Sequence, residues 1–311
     1  MFLLLIVLLF IIILIISSTN NKTKFRKYNT NNSIDNVAII IPIHPPYYHY
    51  IYHLIRKLND SIDLILVFTN KDEYSEFKMK DKIKEIILEN VSTERMQTYM
   101  KRYSITIFKK FYGLDNLKGN LKYDYFIVCD AEIDIIPENF NKSNIIQKIN
   151  SIFNNKYVYG GYSKENENKR ITYHTCTLFN NKNDIEKLKI ITKDYSLYYW
   201  WNDLPVYKRT HLTEFFNIIK YDDVIWAHFE HIIYLNYLIL YHNFKIINMN
   251  DILNTDKEIG IYECVSCTNI NQILKYKEVK NSFSYIAYYL FKKFKNFFIN
   301  EGTFILFHLD K

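Results

Sequence analysis

From Asp35 onward, apolar and polar positions alternate in blocks whose periods name the elements. Val37-Ala-Ile-Ile-Ile-Pro-Ile43 is an unbroken apolar, β-rich run, the pattern of a parallel strand covered on both faces. Pro45 and Pro46 then open a helical stretch to about Leu58, proline being tolerated in a first turn. Leu64-Ile-Leu-Val-Phe-Thr69 predicts a second strand, and the charged stretch Glu73–Glu89 a helix. Ile105–Phe108 reads as a third strand and Tyr125-Phe-Ile-Val-Cys129 as a fourth, after a segment around Tyr112-Gly-Leu. Strands and helices in this order predict an α/β domain, a mixed, mostly parallel sheet flanked by helices.

Past Pro137 the regularity breaks. Tyr157–Tyr162 and Ile171–Phe179 predict antiparallel strands joined by a polar loop, Ser163–Arg170. Helices follow near 183–192 and 211–220, a longer one near Ile225–Tyr241, then a short strand, Lys245–Met249. No internal repeat occurs, and one domain over 36–250 is the economical reading. The remainder, 251–311, forms an extension. Within it Phe283, Ile286, Ala287, Leu290, Phe291, Phe294 and Phe298 share one face of a helix over 283–298, with Lys292, Lys293 and Lys295 near its end. Such a helix suits a membrane surface, or docks on the core with its lysines against the C-terminal dipole.

The first residues differ in kind. Phe2 to Ile16 is wholly apolar, followed by Ser17, Ser18 and Thr19. As a helix that run rises about 22 Å, short of the ~30 Å hydrocarbon thickness, and the three hydroxyl residues bring it near a minimal span. Residues 1–19 therefore read as a signal anchor, or as a signal peptide cut after small residues, and 20–35 as a polar stem. The expectation is a single-pass type II membrane protein of the secretory pathway with a lumenal domain, or a secreted protein after cleavage. The flanking positive charges follow the run, which by the positive-inside rule argues for the opposite topology. Asn-x-Ser/Thr sequons at Asn21, Asn31, Asn59, Asn90 and Asn141 permit glycosylation.

Composition narrows the chemistry. An apolar fraction of 49% excludes a disordered chain. The six glycines, at 113, 119, 160, 161, 260 and 302, allow neither a G-x-G-x-x-G turn nor a P-loop, and no G-x-S-x-G elbow occurs. The net charge of +7 includes Lys22, Lys24, Arg26 and Lys27, which precede every acid; the remainder carries only 36 basic residues against 33 acidic. That is too little for a nucleic-acid partner to be expected. Cys129 and Cys176 fall in predicted strands as ordinary buried thiols. Cys264 and Cys267 make half of a zinc motif, which reads as a disulfide or two free thiols.

The chemistry concentrates in Tyr123-Asp-Tyr-Phe-Ile-Val-Cys-Asp-Ala-Glu-Ile-Asp-Ile-Ile-Pro137. An apolar strand runs straight into Asp130, Glu132 and Asp134. In extended chain these alternate residues share a side, and three carboxylates there repel unless a cation or strong donors neutralise them. Hard oxygen donors select Mg²⁺ or Mn²⁺, and ligands of open α/β sheets sit beyond the carboxyl ends of strands. The bland alternative is that Asp130 and Asp134 merely cap or turn the chain.

An apolar strand ending in a D-x-D-like sequence, fourth in an α/β half that opens on an Ile-Ile-Pro strand, resembles the GT-A nucleotide-sugar glycosyltransferases. Asp130-Ala-Glu132 stands where that motif stands, and Val37–Ile43 where their first strand does. A short anchor, stem and lumenal domain also match many members. The resemblance is one of pattern over roughly 36–250. Its second acid is Glu rather than the commoner Asp, which leaves Glu132 and Asp134 as alternative partners of Asp130. It implies a metal-dependent glycosyltransferase moving a sugar from a nucleotide-sugar donor to a hydroxyl on a glycan, protein or lipid. Mn²⁺ or Mg²⁺ would be held by Asp130, Glu132 and Asp134 and would stabilise the diphosphate leaving group. Asp130 would also reach the ribose. His44, after the first strand, with Thr69 and Asn70, would line the nucleotide pocket.

A second cluster is Tyr221-Asp-Asp-Val-Ile-Trp-Ala-His-Phe-Glu-His231. Glu230 and Asp223 are the candidate catalytic carboxylates, since inverting transfer needs one to take the acceptor proton and the resemblance implies an acid here. Asp222 and Asp223, just before a predicted helix, are equally explained by its dipole. His228 or His231 would add a metal ligand, or sit buried and hydrogen-bonded. His49 and His53, four apart, lack the glutamate of a zinc helix and read as surface or packing residues. Trp200 and Trp201, beside Asn202 and Asp203, suit a sugar platform or a core. Two rival functions remain: a metal-dependent hydrolase or nucleotidyltransferase using the same carboxylates, and a non-catalytic lumenal binding protein.

Overall fold

The computed structural model describes residues 36–58, 62–135, 140–161, 174–191, 196–197, 205–248 and 306–308. All belong to one compact unit, Asp35–Lys311, which is distinct from Met1–Ile34. The predicted anchor and stem, the 163–170 loop, Trp200 and Trp201, Cys264 and Cys267 and the 283–298 helix lie outside the described residues, as do Asn202 and Asp203. Among the described residues no helix is long and apolar enough to cross a membrane.

The architecture is mixed α/β. Strands β1 (Val37–Pro42), β2 (Asp63–Phe68), β3 (Lys84–Ile87), β4 (Tyr125–Val128) and β8 (Val206–Lys208) form a five-stranded sheet in the order β3-β2-β1-β4-β8. The first four are parallel, and β8 closes the edge antiparallel to β4. Every residue of β1 is buried, as its unbroken apolar run requires for the middle of such a sheet.

Alternate β1 side chains feed two cores. Ala38 and Ile40 pack with Phe108, Phe111 and Leu114 of α4 (Ile105–Leu117) and with α7 (Arg209–Ile218) and α8 (Glu230–Tyr241). Val37, Ile39 and Ile41 pack with Ile51 and Leu54 of α1 (Tyr48–Lys57) and Ile145 and Ile149 of α5 (Lys142–Asn155). Helix α1, which links β1 to β2, lies on one face, while α4, which leads into β4, lies on the other. The topological switch point is therefore between β1 and β4. Gly113 permits the close approach of α4: a Cβ there would lie 2.9 Å from Val67 Cγ2 and 3.1 Å from Ile40 Cγ2.

The amino ends of the strands are stapled by one carboxylate. Asp63 Oδ2 accepts from Lys84 Nζ (2.9 Å), Lys122 Nζ (2.5 Å) and Tyr123 Oη (2.7 Å). Burial alone would raise its pKa, but these three donors hold it down at about 2.

Several expectations are corrected. Ile105–Phe108 is the first turn of α4, not a strand; Phe108, Phe111 and Leu114 recur at helical spacing and are all buried. The third strand is instead β3, inside the stretch expected to be helical. There the helix is only α2 (Lys71–Glu76), with Asn70 as N-cap. As a sheet-edge strand, β3 keeps a charged face and loses the apolar signature. Residues 174–176 form a helical turn, so Cys176 is not in a strand. Strand β6 (Tyr157–Gly161) pairs in parallel with β9 (Lys245–Asn248) and antiparallel with β7 (Ser196–Leu197). Helix α8 begins at Glu230 rather than Ile225, so Glu230 is in its first turn, and Asp222 and Asp223 lie in a separate 3-10 turn, Tyr221–Asp223. Helices α3 (Thr93–Lys101) and α6 (Lys182–Ile191) and the pair β5 (Ile133–Ile135) and β10 (Leu306–His308), antiparallel to each other, complete the described elements.

Candidate functional site

The site forms where β1 and β4 part. Their pairing ends at Ile40↔Val128, with one further bond from Cys129 N–H to Ile40 O (3.1 Å). Strand β1 meanwhile stays with β2 through Pro42↔Val67 and Ile43 N–H to Val67 O (3.1 Å). Beyond this divergence His44 follows β1, Thr69 follows β2 and Asp130 follows β4. All three lie at carboxyl ends, at the switch point where ligands of open α/β sheets bind. Consecutive lysines of α4 reach this crevice.

Lys109 serves the β1/β2 side. Its side chain is fully buried, and Nζ donates to Ile43 O (2.7 Å), with His44 Nδ1 at 3.3 Å and Glu73 Oε2 at 3.6 Å. Glu73 also accepts from the Thr69 N–H (2.8 Å), and its own N–H donates to Asn70 Oδ1 (2.9 Å), while His44 Nδ1 lies 3.7 Å from Oε1. Thus His44 and Thr69 both meet the Glu73 carboxylate, while Asn70 meets Glu73 only through its backbone N–H. Burial would raise the Glu73 pKa; contacts with His44, Lys109 and Thr69 overcome it and hold it at about 2. Burial draws Lys109 down to about 8 against the pull of Glu73. Asn70 spends its side-chain oxygen on capping α2.

Lys110 serves the β4/α8 side. Nζ lies 2.9 Å from Asp130 Oδ1 and 2.6 Å from Glu230 Oε1. Burial opposes its charge, but Asp130 and then Glu230 outweigh it and raise its pKa, so the group is an ammonium. The two carboxylates differ in depth: the Glu230 side chain is 9% exposed and that of Asp130 31%. Glu230 gains a second favourable contact, with the positive end of α8.

The remaining candidates scatter. The chain bends at Ala131 and Glu132, so the expected alternation of carboxylates along one extended strand is broken. Glu132 is half-buried at that bend, and Asp134 sits in β5 opposite Phe307. Asp223 is exposed in the 3-10 turn that Asp222 ties to Arg95 of α3. His228 Nδ1 accepts from the Ile225 N–H (3.1 Å), and burial lowers its pKa to about 4. His231 is buried edge-on to Tyr207 at 5.5 Å, with burial and then Lys110 lowering it to about 3, so both rings are neutral at pH 7. His49 and His53 are exposed on α1. Cys129 is buried beside the triad, and burial pushes its thiol up, leaving it unreactive.

Asp130 and Glu132 are the described residues at the crevice that could contact a divalent ion. Among the described residues no group of three or more His, Cys, Asp or Glu is arranged to hold a metal. Mg²⁺-type ions, however, are commonly held by one or two carboxylates, with substrate phosphates and water completing the shell. Asp130 is a hard, partly exposed carboxylate at the crevice mouth, and Glu132 is two residues away.

Glu73 was not singled out in the sequence, and neither were the two lysines that reach the crevice, Lys109 and Lys110. Their signal was two lysines embedded in Ile105-Thr-Ile-Phe-Lys-Lys-Phe-Tyr112, where apolar residues on both sides leave no solvated face.

No protein-family model matches the chain, and no curated protein matches it in sequence. Among solved structures it is similar to a CMP:2-keto-3-deoxy-manno-octonic acid synthetase complexed with CTP. The identity is 8% and the TM-score 0.33, over 69% of this chain and 89% of that one. At that TM-score the similarity says nothing about the chemistry of this chain.

Proposed function

We propose that the chain is a divalent-cation-dependent transferase that binds a nucleotide at the β1/β4 crevice and moves a sugar from a nucleotide-sugar donor to an acceptor hydroxyl. The observation that carries this reading is the placement of Asp130: a partly exposed carboxylate at the end of a central parallel strand, at the switch point, fixed by a buried lysine. A bound Mn²⁺ or Mg²⁺ would supply charge stabilisation to the departing diphosphate. Asp130 would hold it, with Glu132 or Asp134 as second donor.

The other residues have roles of their own in this reading. His44, Thr69 and Asn70 border the nucleotide side, where Lys109 and Glu73 fix the loop after β1 to that after β2. Glu230, the candidate acceptor base, is held by Lys110 in the ion pair described, so in this reading it fixes that lysine rather than taking the acceptor proton. Asp223 would serve from the exposed turn. The acceptor is a glycan, glycoprotein or lipid, and an N-terminal anchor would place the reaction at a membrane of the secretory pathway.

The test is nucleoside diphosphate release by the full-length protein across a panel of nucleotide sugars, with Mn²⁺, Mg²⁺ or EDTA. Release from one donor is expected, abolished by EDTA and reduced at least about a hundredfold in Asp130→Asn. Pyrophosphate release from a nucleoside triphosphate plus free sugar would replace this reading with a nucleotidyltransferase. Equal release by Asp130→Asn would remove Asp130 from the site.

A further inference from the structure

We infer that Lys110 is an exchangeable counter-ion: it neutralises Asp130 while no divalent cation is present, and yields that carboxylate when one binds, staying paired with Glu230. The inference rests on the reading of Asp130 as the cation-binding carboxylate and adds a device that controls when the cation binds.

The asymmetry of the triad sets the direction of exchange. Glu230 is the deeper partner and the nearer, at 2.6 Å against 2.9 Å for Asp130. A carboxylate so buried has no water to replace a lost cation, and stranding it is strongly unfavourable. Asp130, about a third exposed, loses far less when its ammonium departs and a divalent ion takes over. One ammonium therefore has one permanent partner and one exchangeable partner. While it rests on Asp130 it repels an arriving divalent ion, so bare metal binds weakly. A metal accompanied by nucleotide phosphates binds better, because the phosphates bring added negative charge to the same crevice.

The test uses Mn²⁺ alone as probe, by titration calorimetry on the full-length protein. Glu230→Gln leaves the ammonium wholly to Asp130. Lys110→Met combined with Glu230→Gln removes the ammonium without stranding a buried charge, so both variants are expected to fold, and circular dichroism checks this. The double variant is expected to bind Mn²⁺ about tenfold or more tightly than Glu230→Gln alone, from the removal of one positive charge a few ångströms from the ion. Adding Asp130→Asn to the double variant should abolish that gain. Equal or weaker Mn²⁺ binding in the double variant overturns the inference, as does a gain that survives Asp130→Asn, or the absence of Mn²⁺ binding in every folded variant. If the tenfold ratio is found but no nucleotide sugar is consumed, the transferase reading falls and the counter-ion stands.

Discussion

A lysine in an apolar interior must carry its partners with it, and here those partners come from far along the chain. Lys109 is answered by Ile43 and Glu73, and Lys110 by Asp130 and Glu230, the last of these 120 positions away. Sequence spacing expresses helical or strand neighbours only, so Asp130 and Glu230 could be singled out as residues while Glu73 and the lysines joined to these acids could not. Asp130 stood out because it ends an apolar strand; Glu230 stood out only because the resemblance implied an acid in that region. The same limit hid Asp63, whose three donors come from β3 and from the approach to β4. Its pKa, depressed from 3.8 to about 2, means that its contribution to stability is present above the unfolded value and lost as pH falls through the folded one. Asp63→Asn should cost about 1 kcal/mol at pH 7 after solvent screening. In urea melts the gap from wild type should narrow as pH drops from 3.8 to about 2; a gap that held constant would show that charge has no part in it.

At the scale of elements, the strands with the longest apolar runs, β1, β2 and β4, were plain from sequence because burial on both faces leaves a continuous signature. Short segments were not. Ile105-Thr-Ile-Phe108 is β-branched and aromatic, yet it turns as helix because Phe108, Phe111 and Leu114 can then bury together on the sheet. Conversely β3 is too charged to read as a strand. The closeness of α4 to β1 and β2 is what brings its lysines to the strand ends, and Gly113 sets that closeness. Gly113→Ala is expected to destabilise the protein by about 1–3 kcal/mol, although alanine alone favours helix by about 1 kcal/mol. Chemical denaturation measures it, and a stabilised variant would show that the helix moves aside at no cost.

For the molecule as a whole, the two cores lie back to back on one sheet and share the same strands, so neither survives without the other. Tyrosine fluorescence and far-UV circular dichroism of the full-length protein should therefore trace one coincident denaturant transition. Separated midpoints would mean that the two faces unfold independently. The adjacency of Lys109 and Lys110 has a mechanical side as well. Neighbours on a helix diverge by about 100°, so one stiff rod ends in two prongs, one seated on the loop after β1 and the other between β4 and α8. A rotation of α4 that withdraws the second prong from Asp130 must also turn the first against Ile43. Any such rotation of the helix would therefore shift the contacts on both banks of the crevice together.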